Sequence, residues 1–89
     1  MKQITLTITN KLGMHARAAS VFVKTAEKFK SKVEMEKDGI RVNAKSIMGI
    51  LMLAAPLGSS VTIFTDGEDE EECIKALTNI ITDKFGEGE

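Results

Sequence analysis

Four short segments of this 89-residue chain alternate apolar with polar residues, and this pattern limits the possible folds more than any other feature. A repeat of two is the period of a β-strand, so each segment would place its apolar side chains on one face. The apolar positions are Ile4, Leu6, Ile8, Val33, Met35, Ile40, Val42, Val61 and Ile63. A sheet built from such strands needs a covering layer on one face only.

Three further segments carry apolar residues at the spacing of an amphipathic helix. Their apolar positions are Ala19, Phe22, Val23, Ala26 and Phe29 in the first, Ile47, Ile50, Leu51 and Ala54 in the second, and Ile74, Leu77, Ile81 and Phe85 in the third. Ser46 is a favourable N-cap for the second helix, which should end at Pro56. Asp69 with Glu72 predicts a capping box for the third helix, which should end at Gly86.

The segments follow one another in the order β-α-β-β-α-β-α, with Asp38-Gly39 as a hairpin turn between the second and third strands. We therefore predict an α+β fold, an open-faced sandwich in which three helices cover one face of a four-stranded antiparallel sheet. A chain of 89 residues buries one modest core, so residues 1–89 are predicted to form a single domain.

The net charge of −1 conceals an uneven distribution along the chain. Residues 1–26 contain four basic and no acidic side chains, whereas residues 66–89 contain two basic and nine acidic ones. A basic segment without carboxylates suits an acidic partner or a phosphate, because a field of one sign attracts the incoming anion. The acidic C-terminal part is expected to be a solvated surface.

The longest apolar run, residues 47–55, is far shorter than the ~20 residues that span a bilayer, and the N-terminus lacks the apolar region of a secretion signal. We therefore expect a cytoplasmic protein without membrane insertion. Cys73, the only cysteine, is predicted to be a small core residue of the third helix. Metal-ligand spacing and a nucleotide-binding loop are both lacking, so neither a metal nor a cofactor is expected.

His15, the only histidine, stands where the first helix is predicted to begin. A lone histidine is most often a surface or satisfied core residue, but histidine is a poor N-cap compared with Ser, Thr, Asp or Asn. The helix start offers unpaired amides and a positive dipole, Arg17 follows, and small neighbouring residues leave room for another protein. A neutral imidazole there can attack phosphorus, and Arg17 would then contact the phosphoryl group.

Ser46 needs no role beyond its N-cap, and on sequence alone that explanation is sufficient. The same position would still tolerate an added phosphate, because a helix N-terminus binds anions. Met48 and Met52 lie off the main apolar stripe of the second helix, where flexible thioethers suit either binding of several partners or core packing. Gly49 is unfavourable within a helix, which predicts the close approach of a neighbouring group.

Residues 13–19, Gly-Met-His-Ala-Arg-Ala-Ala, resemble the active-site signature of the HPr family, the histidine-containing phosphocarriers of the bacterial sugar phosphotransferase system. Residues 46–51 resemble its regulatory-serine segment, and the likeness extends over essentially the whole chain. It implies strand order 1-4-2-3 and phosphorylation of His15 on Nδ1 by phosphoenolpyruvate-charged Enzyme I. It also implies that Arg17 stabilises the phosphate and that IIA domains receive it, which describes a stoichiometric carrier and not an enzyme.

The resemblance further implies a docking surface and a regulatory site. The partner-binding residues would be Met14, Ala16, Ser20, Ile47, Met48, Leu51 and Met52. Ser46 would be phosphorylated by an ATP-dependent HPr kinase, and the added charge should slow phosphorylation of His15 by an acidic donor. The protein is expected to act as a monomer.

Two departures from the family pattern leave alternatives open. Ala18 stands where many relatives have Pro, and Pro56 occupies a turn where Gly is common. Because the Ala18 variant occurs in relatives of nitrogen-type regulatory phosphotransfer chains, that role is one alternative. Another is a regulatory binding module that is controlled through Ser46 and whose His15 is silent. Nucleic-acid binding is disfavoured, since the chain has no Trp or Tyr and only four Phe to stack on bases.

Overall fold

The computed structural model describes residues 1–87 and confirms the predicted order of elements. The strands and helices are β1 (Lys2–Thr7), α1 (Ala16–Ala26), β2 (Lys32–Lys37), β3 (Ile40–Asn43), α2 (Ile47–Met52), β4 (Ser60–Asp66) and α3 (Glu70–Thr82). The sheet is antiparallel throughout, and its order β1-β4-β2-β3 is the one that the family resemblance implied. In this part of the chain no helix combines the length and the apolar character needed to cross a bilayer.

The register of the sheet explains the alternation in the sequence. Ile63 on β4 lies opposite Ile4 on β1 and Met35 on β2, so apolar side chains adjoin across three strands. Thr5 and Thr62 are partners on the other face, where their hydroxyl groups form a hydrogen bond of 2.8 Å. The three helices contribute to the same core Phe22, Ile50 and Leu77. The prediction of one covered and one open face is confirmed, but Ile40, predicted to lie on the covered face, is 59% exposed at the start of the edge strand β3.

The structure corrects the predicted course of the second helix. α2 ends at Met52, and of the four predicted core residues Ile50 alone is fully buried. Ala54 is exposed in a left-handed backbone conformation (φ +48°), so the chain turns there and helical spacing no longer applies. Leu53 and Ala55 occupy core positions in its place.

The predicted capping box at the start of α3 is wrong. The Asp69 side chain makes no bond to its own helix. It accepts hydrogen bonds from the Ser31 hydroxyl and from the backbone amides of Lys30 (2.8 Å) and Ser31 (3.0 Å). These bonds, the Ser31 hydroxyl foremost, hold the pKa of Asp69 below its ordinary value. Asp69 therefore ties α3 to the segment before β2.

The chain reverses sharply after α3, which ends at Thr82 and not at the predicted Gly86. Lys84, Phe85 and Gly86 form a 3-10 turn in which all three adopt left-handed backbone conformations (φ +53°, +56° and +77°). This turn returns Phe85 to the core. Cys73 is buried as predicted, and burial raises the pKa of its thiol to about 11.

Candidate functional site

The loop before α1 (residues 8–15) contacts the loop after α2 (residues 53–59), which brings the start of α1 close to the end of α2. Gly13 has a left-handed backbone (φ +69°), and a Cβ atom there would lie 2.7 Å from the carbonyl oxygen of Ala55. That oxygen accepts a hydrogen bond from the amide of Met14 (2.8 Å). Glycine alone permits both the conformation and the approach. The pocket between the loops, about 280 Å³ in volume, is lined by Leu12, Met14, His15 and residues 54–56.

His15 is the N-cap of α1, as its position in the sequence predicted. Its backbone is extended, and Nδ1 accepts a hydrogen bond of 3.2 Å from the amide of Arg17. The side chain is 26% exposed, so the ring lies at the surface and outside the core. The imidazole therefore takes the place that a serine or aspartate oxygen fills in an ordinary capped helix.

Glu87 contacts the other side of the ring, which the sequence analysis did not anticipate. One carboxylate oxygen lies 2.6 Å from His15 Nε2, and the other accepts a hydrogen bond of 3.0 Å from the side-chain amide of Asn10. The Asn10 amide, with a smaller contribution from His15, holds the pKa of Glu87 below its ordinary value despite partial burial. Glu87 is only 13% exposed.

The expectation of a histidine region without carboxylates, and of an acidic end that is entirely solvated, is therefore wrong at Glu87. The contact with His15 joins residues 72 positions apart, so no local motif could indicate it. The one sequence feature that pointed to this contact was Phe85. Its predicted place in the core holds the C-terminal segment, and with it Glu87, against the body of the protein.

Arg17 lies exposed in the first turn of α1, and no carboxylate within residues 1–87 forms an ion pair with its guanidinium group. It nevertheless contributes to lowering the pKa of Glu87. A pocket of about 370 Å³ is lined by Leu12, Arg17, Phe85, Gly86 and Glu87. A cation at a helix N-terminus opposes the dipole, so this arrangement suits an added anion. No set of three or more His, Cys, Asp or Glu in residues 1–87 is arranged to hold a metal ion.

Ser46 caps α2 in the conventional way. Its hydroxyl oxygen accepts a hydrogen bond of 3.1 Å from the amide of Gly49, and the residue is half-buried. A Cβ atom on Gly49 would lie 2.9 Å from the carbonyl oxygen of Asn43, which explains a glycine within this helix. The cap and the close neighbour were both predicted, while phosphorylation of Ser46 stays a prediction.

The predicted partner-binding residues differ widely in exposure. Met48 and Met52 are 70% and 76% exposed, so the alternative that they pack in the core is wrong. Ile47 and Ala16 are exposed, Ser20 and Leu51 are half-buried, and Met14 is 5% exposed within the core. We refer to Ile47, Met48 and Met52 as the methionine surface. Among the other exposed apolar side chains, sequence reasoning missed Leu12 and Leu57 in the loops near His15, although an apolar residue in a polar loop is itself a signal.

The two departures from the family pattern are accommodated without disturbing His15. Ala18 is fully buried within α1, where alanine is the best helix former. The Pro56 Cα atom would lie 2.8 Å from a Cβ atom on Gly13, so proline belongs to the same loop contact.

Comparison with known proteins agrees with the fold. Residues 2–83 match the family described as the PTS HPr component phosphorylation site. The phosphocarrier protein HPr of Cupriavidus necator is 53% identical over 89 residues, which cover 100% of both chains. The crystal structure of HPr-C-His from Thermoanaerobacter tengcongensis superimposes with a TM-score of 0.95 and 54% identity over 98% of each chain.

A further structure with the same fold is that of Crh, the Bacillus subtilis catabolite repression containing protein. It superimposes with a TM-score of 0.76 and 43% identity over 94% of this chain and 97% of the other, and it is described as a dimer with a swapped domain. Both the family match and the relatives at this level of identity extend over nearly the whole chain. The chain therefore belongs to the HPr family, the phosphocarrier proteins of the phosphotransferase system.

Proposed function

We propose that this protein accepts a phosphoryl group on Nδ1 of His15 from phospho-Enzyme I and passes it to IIA domains of the phosphotransferase system. The observation that carries the proposal is the accessible imidazole at the start of α1, with Nδ1 facing a backbone amide and Arg17 beside it. The protein acts as a stoichiometric carrier, because its own histidine holds one phosphoryl group between the reaction with the donor and the reaction with the acceptor. We further propose that it acts in the cytoplasm.

Transfer needs no proton to enter or leave the ring. The Nδ1 lone pair forms the N–P bond while the bond from phosphorus to the donor breaks, and that electron pair stays with the donor. The ring keeps its Nε2 proton and becomes cationic. When an acceptor attacks phosphorus, the N–P electron pair returns to Nδ1 and a neutral imidazole leaves.

Two groups at the start of α1 are placed to stabilise the transferred group. The Arg17 amide that donates to Nδ1 in the free protein can donate to a phosphoryl oxygen after transfer. The Arg17 guanidinium, without an ion pair in residues 1–87, can form charge-assisted hydrogen bonds to the same group. The positive charge of residues 1–26 would attract an acidic donor.

Recognition of partners is assigned to the methionine surface together with the start of α1. Flexible, exposed methionines adapt to several partners, which a carrier between one donor and several acceptors requires. Met14 contributes chiefly by supporting the loop from within, since it is almost wholly buried.

We also propose regulation through Ser46. Its hydroxyl caps α2 next to the methionine surface, so a phosphate there would add negative charge where an acidic donor docks. The alternative of a purely regulatory module gives no role to the accessible His15 or to Arg17, whose guanidinium has no ion pair within residues 1–87. A nitrogen-type regulatory chain uses the same carrier chemistry and differs only in the partners that the protein serves.

The test is incubation with Enzyme I and labelled phosphoenolpyruvate. We expect acid-labile, base-stable label on the protein, and loss of that label in His15→Ala. Label that persists in His15→Ala, or no transfer from labelled protein to any IIA domain, would contradict the proposal. Separate incubation with ATP and an HPr kinase should give acid-stable label that is lost in Ser46→Ala.

The oligomeric state is tested by light scattering of the purified protein. We propose a monomer, because both the His15 ring and the methionine surface must meet a different partner in each half of the cycle. The swapped dimer described for Crh is the competing state, and a mass of two chains at micromolar concentration would establish it here.

A further inference from the structure

We infer that Glu87 is a positioning residue for His15: its carboxylate holds the imidazole proton on Nε2 and so leaves the Nδ1 lone pair available to phosphorus. The inference deepens the proposed function and rests on it. It concerns the one carboxylate within residues 1–87 that contacts the ring.

The two ring nitrogens of His15 face partners of opposite hydrogen-bonding character. Nδ1 faces the backbone N–H of Arg17, which can only donate, so Nδ1 must carry a lone pair. Nε2 faces an oxygen of Glu87 at 2.6 Å, and an ionised carboxylate can only accept, so Nε2 must carry the proton. The lowered pKa of Glu87 keeps that carboxylate ionised at neutral pH. Both contacts therefore select the same tautomer.

Glu87 is held in place by contacts that do not involve the ring. Its second oxygen accepts from the side-chain amide of Asn10, which is fully buried and also donates to the Gly13 carbonyl (2.7 Å). Lys84 and Phe85 adopt left-handed backbone conformations, which are unfavourable for residues with a Cβ atom. Burial of Phe85 and the hydrogen bonds of Glu87 hold this turn closed. Strained backbone retained in this way is typical of functional sites.

The same carboxylate suits the phosphorylated state. After transfer the ring keeps its Nε2 proton and carries a positive charge, and Glu87 would then form a charge-assisted hydrogen bond to it. Keeping the proton on Nε2 also keeps the ring a good leaving group, because the onward step then releases a neutral imidazole. One residue thus serves both halves of the transfer.

A glutamine at position 87 separates this role from simple packing. Two donors, the Asn10 amide and the His15 Nε2–H, face the two carboxylate oxygens, but a glutamine side chain offers one oxygen and one NH2 group. The Asn10 side chain is fully buried and its other N–H donates to the Gly13 carbonyl, so no solvent can replace the acceptor at position 87. The glutamine oxygen should therefore stay with Asn10, and its NH2 group then faces Nε2. An NH2 group there favours the tautomer with the proton on Nδ1, in which Nδ1 has no free lone pair and cannot form the N–P bond.

The experiment measures the imidazole ¹⁵N chemical shifts of His15, with the ring neutral, together with the rate of phosphoryl uptake from Enzyme I. In the wild type we expect the proton on Nε2. In Glu87→Gln we expect it to move towards Nδ1 and uptake to slow by about 10- to 100-fold. Glu87→Ala removes the acceptor without adding a donor, so its rate should fall less. Glu72→Gln makes the same charge change on the exposed first turn of α3 and should match the wild type.

The tautomer of the His15 ring tests the role of Glu87 independently of the transfer assay. A wild-type ring protonated on Nδ1, or a Glu87→Gln ring with the wild-type tautomer, would overturn the inference. So would a Glu87→Ala rate below that of Glu87→Gln, because a packing role predicts that order. If Enzyme I fails to label the wild type, the proposed function fails while the ¹⁵N shifts still report on Glu87. Melting curves of both variants show whether either has lost its fold.

Discussion

The starts of α1 and α2 share one geometry and differ in what stability can explain. In each, the N-cap residue has an extended backbone, and its side chain accepts a hydrogen bond from a backbone amide. His15 accepts from the amide of Arg17 (3.2 Å), and Ser46 accepts from the amide of Gly49 (3.1 Å). Serine is among the best N-caps, so helix stability accounts for Ser46 without any further role. Histidine is not, so helix stability leaves the residue at the start of α1 unexplained.

The charges around the two helix starts also set α1 apart from α2. The first turn of α2 has no acidic residue and no cation, whereas the first turn of α1 contains Arg17, which opposes the helix dipole. Glu87 then approaches the His15 ring from the far end of the chain. The difference leaves α2 complete as it stands, while the start of α1 suits the negatively charged group that the proposed transfer would supply.

The largest effect, complete loss of phosphoryl uptake with stability retained, is expected for His15→Asn, and it tests whether the two helix starts differ as described. Asparagine is a better N-cap, and this gain offsets the lost contact with Glu87, so the free energy of unfolding should stay within ~1 kcal/mol of the wild type. Acid-labile label from Enzyme I should nevertheless disappear completely, because no nucleophilic ring nitrogen remains. Label transfer and urea unfolding are measured on the same preparation. Loss of stability together with loss of label would mean that the histidine serves the fold.

The next largest effect is expected for Arg17→Ala. Loss of the guanidinium should slow phosphoryl uptake by about 10²-fold, since it removes a preorganised positive charge beside the phosphoryl group. Stability should change by less than about 0.5 kcal/mol, because relief of the unfavourable dipole interaction opposes the lost attraction to Glu87. Rapid-quench kinetics checks the rate, with Lys24→Ala in the last turn of α1 as the matched control. An equal rate loss in Lys24→Ala would point to general charge and not to the site.

A smaller effect, with the opposite signature, is expected for Ser46→Ala. Removal of the cap should lower the free energy of unfolding by ~1 kcal/mol and leave phosphoryl uptake at the wild-type rate. Ser46→Thr, which keeps a capping hydroxyl, is the control and should recover most of the stability. Slower uptake by unmodified Ser46→Ala would show that the two helix starts do not divide stability and transfer as we describe.

The smallest effect concerns the start of α3, the third helix start, where Asp69 bonds to Ser31 and Lys30. Its folded pKa lies below the ordinary 3.8, so its carboxylate contributes stability above that pH and loses it as pH falls through the folded pKa. The stability difference between wild type and Asp69→Asn should therefore shrink below about pH 3.8. Urea unfolding at a series of acidic pH values measures it, and a constant difference would contradict the assignment.

The strands and the site motif were predictable because they depend on local pattern. A period of two in residues such as Ile4 and Leu6 reflects a sheet with one covered face. The edge strand β3 departs from it, because Ile40 lies beyond the cover of the helices. The position of His15 as the N-cap of α1 was predicted correctly. Its function stays a prediction, which came from its misfit as a cap and from Arg17 beside it. Strand order came from the family resemblance, since alternation does not reveal which strands are neighbours.

The features that the sequence did not predict depend on contacts between segments that are distant along the chain. Asp69 has the sequence of a cap, but two amides and a hydroxyl near Ser31 compete for its oxygens and are nearer in space. Ala54 and Phe85 adopt left-handed conformations that nothing in their side chains favours, so the ends of α2 and α3 were misplaced. Glu87 reaches His15 only because that turn closes.

Gly13 links chemistry to recognition by its lack of a side chain. A methyl group there would meet the Ala55 carbonyl and force the two loops apart, separating the acceptor ring from the methionine surface while leaving both chemically intact. We expect such a protein to fold and, on the proposed function, its histidine to accept phosphate from small donors. We expect it to fail as a carrier, because a partner docked on the methionine surface would no longer be aligned with Nδ1 of His15.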